Sequence, residues 1–228
     1  MKTIGLIGGM SWESTVVYYR QLNQQIKQQL GGHHSARIIL NSLDFSQIED
    51  LQHRGKWDET ADVIIKAAQS LEAAGADFFL IGTNTMHIVA DRVAESVGIP
   101  LLNIIDATAE VLNNHGAKRV GLLGTAFTME MDFYADRLRQ QNIEVVVPEL
   151  HDRQMVHDII YQELCLGQFD DESKVIYKSV IERFPEIDGV ILGCTEIGML
   201  INQQDTDIKL FDTTYIHVDK AIQQALAD

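Results

Sequence analysis

The feature that most constrains the fold is an alternation between short apolar runs and longer amphipathic runs along the 228 residues. Short apolar runs that end in glycine are typical of buried strands, and longer amphipathic runs are typical of helices. Strands that alternate with helices form parallel sheets, because each helix returns the chain to the edge where the strand began. The pattern therefore predicts an α/β protein whose parallel sheets are covered by helices on both faces.

The individual elements follow from this alternation and from the glycines that end several of the helical runs. Strands are predicted at 3–8, 36–41, 77–82, 101–105, 119–124, 143–148, 188–193 and 208–212. Helices are predicted at 12–30, 58–74, 86–97, 107–115, 129–141, 154–166, 172–183 and 214–226.

An internal repeat predicts two lobes. In the first half the run "IGLIG" is followed much later by "FFLIG" and the polar triplet Thr83–Thr85, "TNT". In the second half "VGLLG" is followed, at a similar distance, by "GVILG" and the triplet Cys194–Glu196, "CTE". Any α/β protein has several strands that end in glycine, but the matched triplets favour a duplication. We expect two pseudo-symmetric lobes, one formed by residues 1–98 plus 212–228 and the other by residues 99–211.

Charge and cysteine content limit the partners and the location. Lys and Arg total 18 and Asp and Glu total 33, which gives a net charge of −15. Such a surface repels phosphate backbones and anionic lipids, so we expect neither a nucleic-acid partner nor a membrane partner. The first ten residues do not resemble a cleaved signal peptide, and Cys165 and Cys194 form no CxxC motif. We therefore expect reduced thiols and a cytoplasmic protein.

The two polar triplets are the candidate site. Ligands of open parallel sheets bind outside the carboxyl ends of the strands, where both triplets are predicted to lie, each just before a helix. Backbone amides at a helix start bind anions, so even an acidic protein can hold a carboxylate there. The pKa of a thiol can be lowered at a helix start. If the lobes face each other, Thr83 and Cys194 approach one carbon from opposite sides, which is what inversion of a stereocentre requires.

Six motifs in fixed order resemble the aspartate/glutamate racemase family: "IGLIGGMSWEST", "GTNTMH", "VGLLGTAFTM", "ELCLGQF", "LGCTEI" and "LFDTT". The resemblance runs from Ile4 to Thr214. It implies two pseudo-symmetric α/β lobes with the active site in the cleft between them. It also implies racemisation of aspartate, glutamate or both, without pyridoxal phosphate or a metal, and a homodimer.

The resemblance also implies roles for single residues. Family members move the α-proton with two cysteines, one per lobe, and Cys194 matches the second of them. Thr83 stands where the first-lobe cysteine is usual. A hydroxyl is a weaker acid than a thiol and a poor base, so we expect an asymmetric catalytic pair that favours the L enantiomer as substrate. The residues expected to bind substrate are Met10, Asn84, Thr85, Thr125, Thr128, Thr195, Glu196 and Arg54.

Two departures from the family concern the distal carboxylate of the substrate. The loop that carries an arginine in the family reads "SLDFSQIEDLQHRG" here, without arginine at the aligned place. Arg54 or Arg37 is the candidate replacement. A lysine that some members carry in the motif around "ELCLG" is replaced by Cys165.

Other interpretations of the same residues stay open. Cys194 could be an inert core cysteine. "GLIGG" is not a G-x-G-x-x-G fingerprint, and the eight histidines show no metal-binding spacing. His87 is expected to pack beneath the first triplet, and the aromatic residues Trp12, Tyr18 and Tyr19 are expected to pack in the interior. Two rival functions remain: a one-cysteine decarboxylase of the same superfamily, and an amino-acid-binding protein that has lost part of its chemistry.

Overall fold

The computed structural model describes residues 1–227 and divides into two compact units. The first unit contains Met1–Ile104 together with the chain from His217 onward, and the second contains Ile105–Ile216. The lobe boundaries given above stay predictions.

Each unit is built on one parallel sheet. In the first unit the strands β1 (Ile4–Gly8), β2 (Ile38–Ser42) and β3 (Phe78–Ile81) pair in the order β2-β1-β3. In the second unit the strands β4 (Arg119–Leu123), β5 (Glu144–Val146), β6 (Gly189–Leu192) and β7 (Leu210–Asp212) pair in the order β5-β4-β6-β7. All of these pairings are parallel, as the alternation predicts.

The α-helices of the described chain lie in the connections between the strands, except for the last one, which follows β7. In chain order they are α1 (Trp12–Leu30), α2 (Phe45–His53), α3 (Trp57–Ala73), α4 (Ala90–Ala94), α5 (Ile104–Asn114), α6 (Ala126–Glu130), α7 (Asp132–Arg139), α8 (Leu150–Gln162), α9 (Asp171–Glu182), α10 (Ile197–Leu200) and α11 (Thr213–Leu226). Short 3₁₀ helices occupy Thr85–Val89, Leu164–Leu166 and Gln203–Asp205.

Helices cover both faces of the first sheet. Successive side chains of a strand point to opposite faces, so Leu6 and Ile7 of β1 enter different clusters. Leu6 packs in one cluster with Leu22 of α1 and Ile222 of α11. Ile7 packs in the other with Ile64 of α3. The α/β class with parallel sheets between helices is thereby confirmed.

The second unit has its own core. Leu123 of β4 and Leu192 of β6 share one cluster with Ile160 of α8 and Tyr177 of α9. Cys194 belongs to the same cluster, so the second triplet begins at the edge of this core.

Several predicted elements differ in the structure. The strand predicted at 101–105 is reduced to a single parallel bridge between Leu101 and Phe79, because Ile104 already begins α5. The helix predicted at 129–141 is interrupted at Met131, whose extended backbone (φ −90°, ψ 140°) separates α6 from α7. Helix α2 was not predicted; Asp44 caps it by accepting a hydrogen bond from the amide of Ser46.

The prediction for the aromatic residues of α1 is only partly right. Tyr18 is fully buried, but Trp12 is 64% exposed and Tyr19 is 55% exposed. Trp12, Val16 and Tyr19 recur at helical spacing, so they form one outward-facing apolar stripe on α1.

Among the described residues, no helix is long and apolar enough to span a bilayer.

Candidate active site

The two triplets leave their sheets in the same way. The amide of Gly82 donates to the carbonyl oxygen of Ile7 (2.8 Å), and the amide of Gly193 donates to that of Leu123 (2.6 Å). A Cβ on Gly193 would lie 2.9 Å from the carbonyl oxygen of Leu123, so glycine is required for this close approach. Each glycine therefore ends a strand in close contact with the neighbouring strand, and the triplet follows at the carboxyl edge of the sheet.

The first triplet leads into a 3₁₀ helix. Thr83 is half-buried, whereas Asn84 and Thr85 are buried. The helix predicted from residue 86 to 97 is instead the 3₁₀ helix Thr85–Val89 followed by α4. In the second unit α10 has only four residues after its triplet. Because peptide dipoles add along a helix, helix-start electrostatics contribute less at both triplets than the sequence predicts.

The second triplet contains a three-residue hydrogen-bonded group. The Sγ of Cys194 lies 2.9 Å from the Oε2 of Glu196, to which it donates. The hydroxyl of Thr195 donates to the same oxygen at 2.8 Å. Glu196 is only 2% exposed. A buried carboxylate therefore lies in direct contact with the thiol.

This environment moves the pKa of Cys194 upward, opposite to the lowering that a helix start can produce. Burial of the thiol is the largest cause, and the neighbouring Glu196 carboxylate is the next. Both disfavour a thiolate. The resting side chain is accordingly a thiol, and the Glu196 carboxylate is a proton acceptor within hydrogen-bond distance of it.

Two further predicted residues lie at the same edge of the second sheet. Thr125 follows β4, which pairs with β6, and its Oγ1 accepts a hydrogen bond from the amide of Thr128 at 3.3 Å. The two hydroxyl oxygens are 3.2 Å apart. Both threonines are buried, so their hydroxyl groups are held in place at the end of the strand next to Cys194.

Met10 and Arg54 belong to the first unit. Met10 is buried just after β1, in the cluster that also contains Met86. Arg54 follows α2, is 59% exposed in its side chain, and donates to the Oδ2 of Asp50 at 2.9 Å. The binding of the distal carboxylate by Arg54 stays a prediction. In that role Arg54 would have to break its ion pair with Asp50.

Two buried polar residues that the sequence reasoning did not single out have side chains with unusual surroundings. The hydroxyl of Thr214 is buried, and within the described chain it has no hydrogen-bond partner. Thr214 follows β7, the neighbour of β6, within the motif "LFDTT". The side chain of Gln52 is buried, and its amide nitrogen lies 3.7 Å from the Sδ of Met86, a weak acceptor. Position after a strand was the available signal for Thr214, whereas Gln52 lies on the unpredicted helix α2.

The remaining cysteine lies at the edge of the second core. Cys165 is half-buried and packs against the core of the second unit, as predicted. Across residues 1–227, no group of three or more His, Cys, Asp or Glu side chains is arranged to hold a metal ion.

Comparison with known proteins identifies the family. The family model for Asp/Glu/Hydantoin racemases matches residues 7–221. A candidate Asp/Glu racemase from Yersinia pestis is 50% identical, with a TM-score of 0.91 over 100% of both chains. An aspartate racemase homologue from Pyrococcus horikoshii OT3 is 36% identical, with a TM-score of 0.86 over 100% of both chains. The broad specificity amino-acid racemase RacX of Bacillus subtilis is 24% identical over 75% of this chain and 74% of its own length.

The family model and the two solved structures cover almost the whole described chain. The chain belongs to the Asp/Glu/Hydantoin racemase family. Its enzyme class is that of the amino-acid racemases, which are isomerases.

Proposed function

We propose that this racemase interconverts the enantiomers of aspartate, glutamate or both by α-proton transfer without a cofactor. Cys194 and Thr83 act on opposite faces of the α-carbon. The observation that carries the proposal is the contact of the Cys194 thiol with the buried Glu196 carboxylate at 2.9 Å. It supplies the proton acceptor that a thiol of raised pKa needs before it can act as a base.

The proton steps balance as follows. Cys194 gives its proton to Glu196, and the resulting thiolate takes the α-proton of the L amino acid, which restores the thiol and leaves a carbanion. The Thr83 hydroxyl then delivers a proton to the opposite face. The proton on Glu196 returns through solvent to the Thr83 alkoxide, which restores the starting state.

The α-carboxylate of the substrate is assigned to Asn84, Thr85 and Thr195. The free hydroxyl group of Thr214 is a further donor for it, since a buried hydroxyl without a partner is costly until a ligand fills its place. These donors stabilise the charge that the carbanion spreads onto the carboxylate. Thr125 and Thr128 line the same edge of the second sheet as Cys194 and are assigned to the substrate as well.

Met10 and Arg54 complete the proposed substrate site. Met10 is assigned to the substrate as well. The distal carboxylate is assigned to Arg54, whose guanidinium already pairs with the Asp50 carboxylate and so can exchange it for that of the substrate. Glu196 was predicted to bind substrate; its contact with Cys194 favours the proton-acceptor role instead.

In this proposal the L enantiomer is favoured for α-proton removal, and not for net conversion. Cys194 has a carboxylate to take its proton, whereas Thr83 must act as a base through a hydroxyl. Proton removal from the L form is therefore faster than removal from the D form.

The test is incubation of each enantiomer of Asp and Glu in D₂O, followed by proton NMR and chiral analysis. The proposal expects α-deuteration together with inversion for at least one of the two amino acids. Binding without deuteration would support the binding-protein alternative. Loss of carbon dioxide from a malonate without racemisation would support the decarboxylase alternative.

We also propose a cytoplasmic homodimer. The exposed apolar stripe formed by Trp12, Val16 and Tyr19 suits a second copy of this chain, and the two free cysteines suit a reducing compartment. Light scattering of wild type and of Trp12→Glu tests the dimer, which the substitution should dissociate. A monomeric wild type would contradict it.

A further inference from the structure

The backbone of Thr83 is held by a buried histidine. The Nδ1 of His87 lies 2.9 Å from the carbonyl oxygen of Thr83, and its Nε2 lies 3.1 Å from the amide nitrogen of Ile104. A carbonyl oxygen only accepts and an amide N–H only donates, so Nδ1 carries the proton and Nε2 accepts. The two partners together assign the neutral Nδ1–H tautomer to His87, which is the less populated tautomer of free histidine in water.

The same contact explains the local backbone. In an α-helix the carbonyl of Thr83 would accept the amide of residue 87, four positions later. Here the amide of His87 donates to Asn84 at 3.0 Å, in the 3₁₀ pattern. The imidazole of His87 takes the place of the missing amide. The carbonyl of Thr83 is thus satisfied by a side chain, and the residue stays at the strand end instead of joining a helix.

A second buried histidine holds the segment that His87 contacts. His217 is fully buried; its Nε2 donates to the carbonyl of Leu102 at 2.8 Å, and its Nδ1 accepts from the hydroxyl of Tyr18 at 2.8 Å. The rings of His87 and His217 are 6.2 Å apart. Residues 102 and 104 are therefore each bonded to an imidazole of fixed tautomer. Residues 102–104 are therefore held in place on both sides of the contact that leads through His87 to Thr83.

We propose that His87 is a positioning residue that fixes Thr83, and with it the Thr83 hydroxyl, against the segment 102–104. The inference deepens the proposed function and rests on it, since Thr83 is the proton-transfer group there. It assigns to His87 no contact with the substrate. Misplacement of a reacting group by about 1 Å lowers the rate on the order of 100-fold. Loss of the contact between His87 and the Thr83 carbonyl should therefore lower the reaction rate measurably.

Two substitutions separate the two bonds of His87. In His87→Gln the side-chain amide reaches the position of Nε2, so it can still accept from Ile104 but loses the donor to Thr83. In His87→Asn the amide nitrogen lies near the position of Nδ1 and can still donate to Thr83. The matched control is His115→Gln, because His115 is exposed and makes the same type of bond, from Nδ1 to the carbonyl of Val111 at 2.9 Å.

The readout is the ratio of inversion to α-deuteration of the L enantiomer in D₂O. His87→Gln is expected to lower inversion and D-side exchange by about 10- to 100-fold while L-side exchange stays within about threefold. His87→Asn should lose less than His87→Gln, and His115→Gln should match wild type. In a Thr83→Ala background, His87→Gln should cause no further loss on the D side, since the two residues act as one unit.

The outcomes distinguish this inference from the proposed function. Wild-type protein that exchanges neither enantiomer rejects the proposed function, and the inference with it. An active wild type with equal losses on both sides in His87→Gln, or with no loss, rejects the inference alone. Nitrogen NMR of the His87 ring gives a test without activity: the Nδ1–H tautomer is expected, and an Nε2–H or doubly protonated ring at neutral pH overturns the assignment.

Discussion

Replacing Asp212 with asparagine should change how the stability of the protein depends on pH. Asp212 ends β7, and its Oδ1 accepts from the amides of Thr214 (2.9 Å) and Tyr215 (3.3 Å) at the start of α11. Burial raises the pKa of its carboxyl from 3.8 to about 6, against the lowering effect of these two amides. Asn can still accept at a helix start but cannot ionise.

The sign and size of the effect on the free energy of unfolding follow from the pKa shift of Asp212. The folded-state pKa lies above the unfolded value, so the folded state holds more protons between the two values. The contribution of Asp212 is therefore complete below about pH 4 and is lost as the pH rises through about 6. At about 1.36 kcal/mol per pKa unit the total is about 3 kcal/mol, of which about 1.3 kcal/mol falls between pH 5 and pH 7. Asp212 is partly exposed, so these values are upper limits.

Urea denaturation of wild type and Asp212→Asn at pH 5, 6 and 7 measures the effect. The free energy of unfolding of the variant, relative to wild type, should rise with pH over this range. Asp44→Asn is the control, because Asp44 is an exposed carboxylate at the start of α2 and its loss changes the net charge equally. A difference between Asp212→Asn and wild type that is flat or falls from pH 5 to pH 7 would refute the reasoning.

Four predictions concern the chemistry. Asn84→Ala should lower kcat/KM by about 10- to 100-fold, because a charge-assisted hydrogen bond is worth about 1.5–3 kcal/mol, and steady-state kinetics measures it. Cys194→Ala should abolish racemisation while Cys165→Ala keeps most of it; the opposite result would reverse the assignment. Glu196→Gln should slow α-deuteration of the L enantiomer by about 100-fold or more, and an unchanged exchange rate would remove Glu196 as the proton acceptor. Thr83→Cys should speed D-side exchange, and no gain would mean that geometry limits that side.

The strand ends were predictable because glycine marks them. β1, β3, β4 and β6 are apolar and followed by glycines whose lack of a Cβ permits close contact with neighbouring segments. The pairing of β1 with β3 and of β4 with β6 reproduces the internal repeat within each unit. Local sequence was therefore enough to predict the strands of both sheets and the positions of both triplets.

Elements whose limits depend on tertiary contacts were not predictable. The apolar run 101–105 has strand composition, but its strand ends after Leu101 because Ile104 enters α5 and bonds His87. The 3₁₀ helix after Thr83 depends on the side chain of His87, which donates a hydrogen bond to the backbone carbonyl of Thr83. The direction of the Cys194 pKa shift depends on burial and on the rotamer of Glu196, and neither can be obtained from spacing along the chain.

The two proposed catalytic groups, Cys194 and Thr83, have unequal support, and this decides which measurements can detect the asymmetry between them. Cys194 has a carboxylate to take its proton, whereas the assigned support of Thr83 acts on its backbone carbonyl. Enantiomers have equal free energy in water, so kcat/KM must be the same in both directions of racemisation whatever the asymmetry. The asymmetry must then appear in the fate of the carbanion. A carbanion formed from the L enantiomer mostly takes a proton back from Cys194, so the substrate exchanges without inverting. A carbanion formed from the D enantiomer arises slowly and is then rapidly protonated by Cys194, so the substrate inverts. L-side deuteration should therefore exceed inversion, and D-side deuteration should nearly equal it.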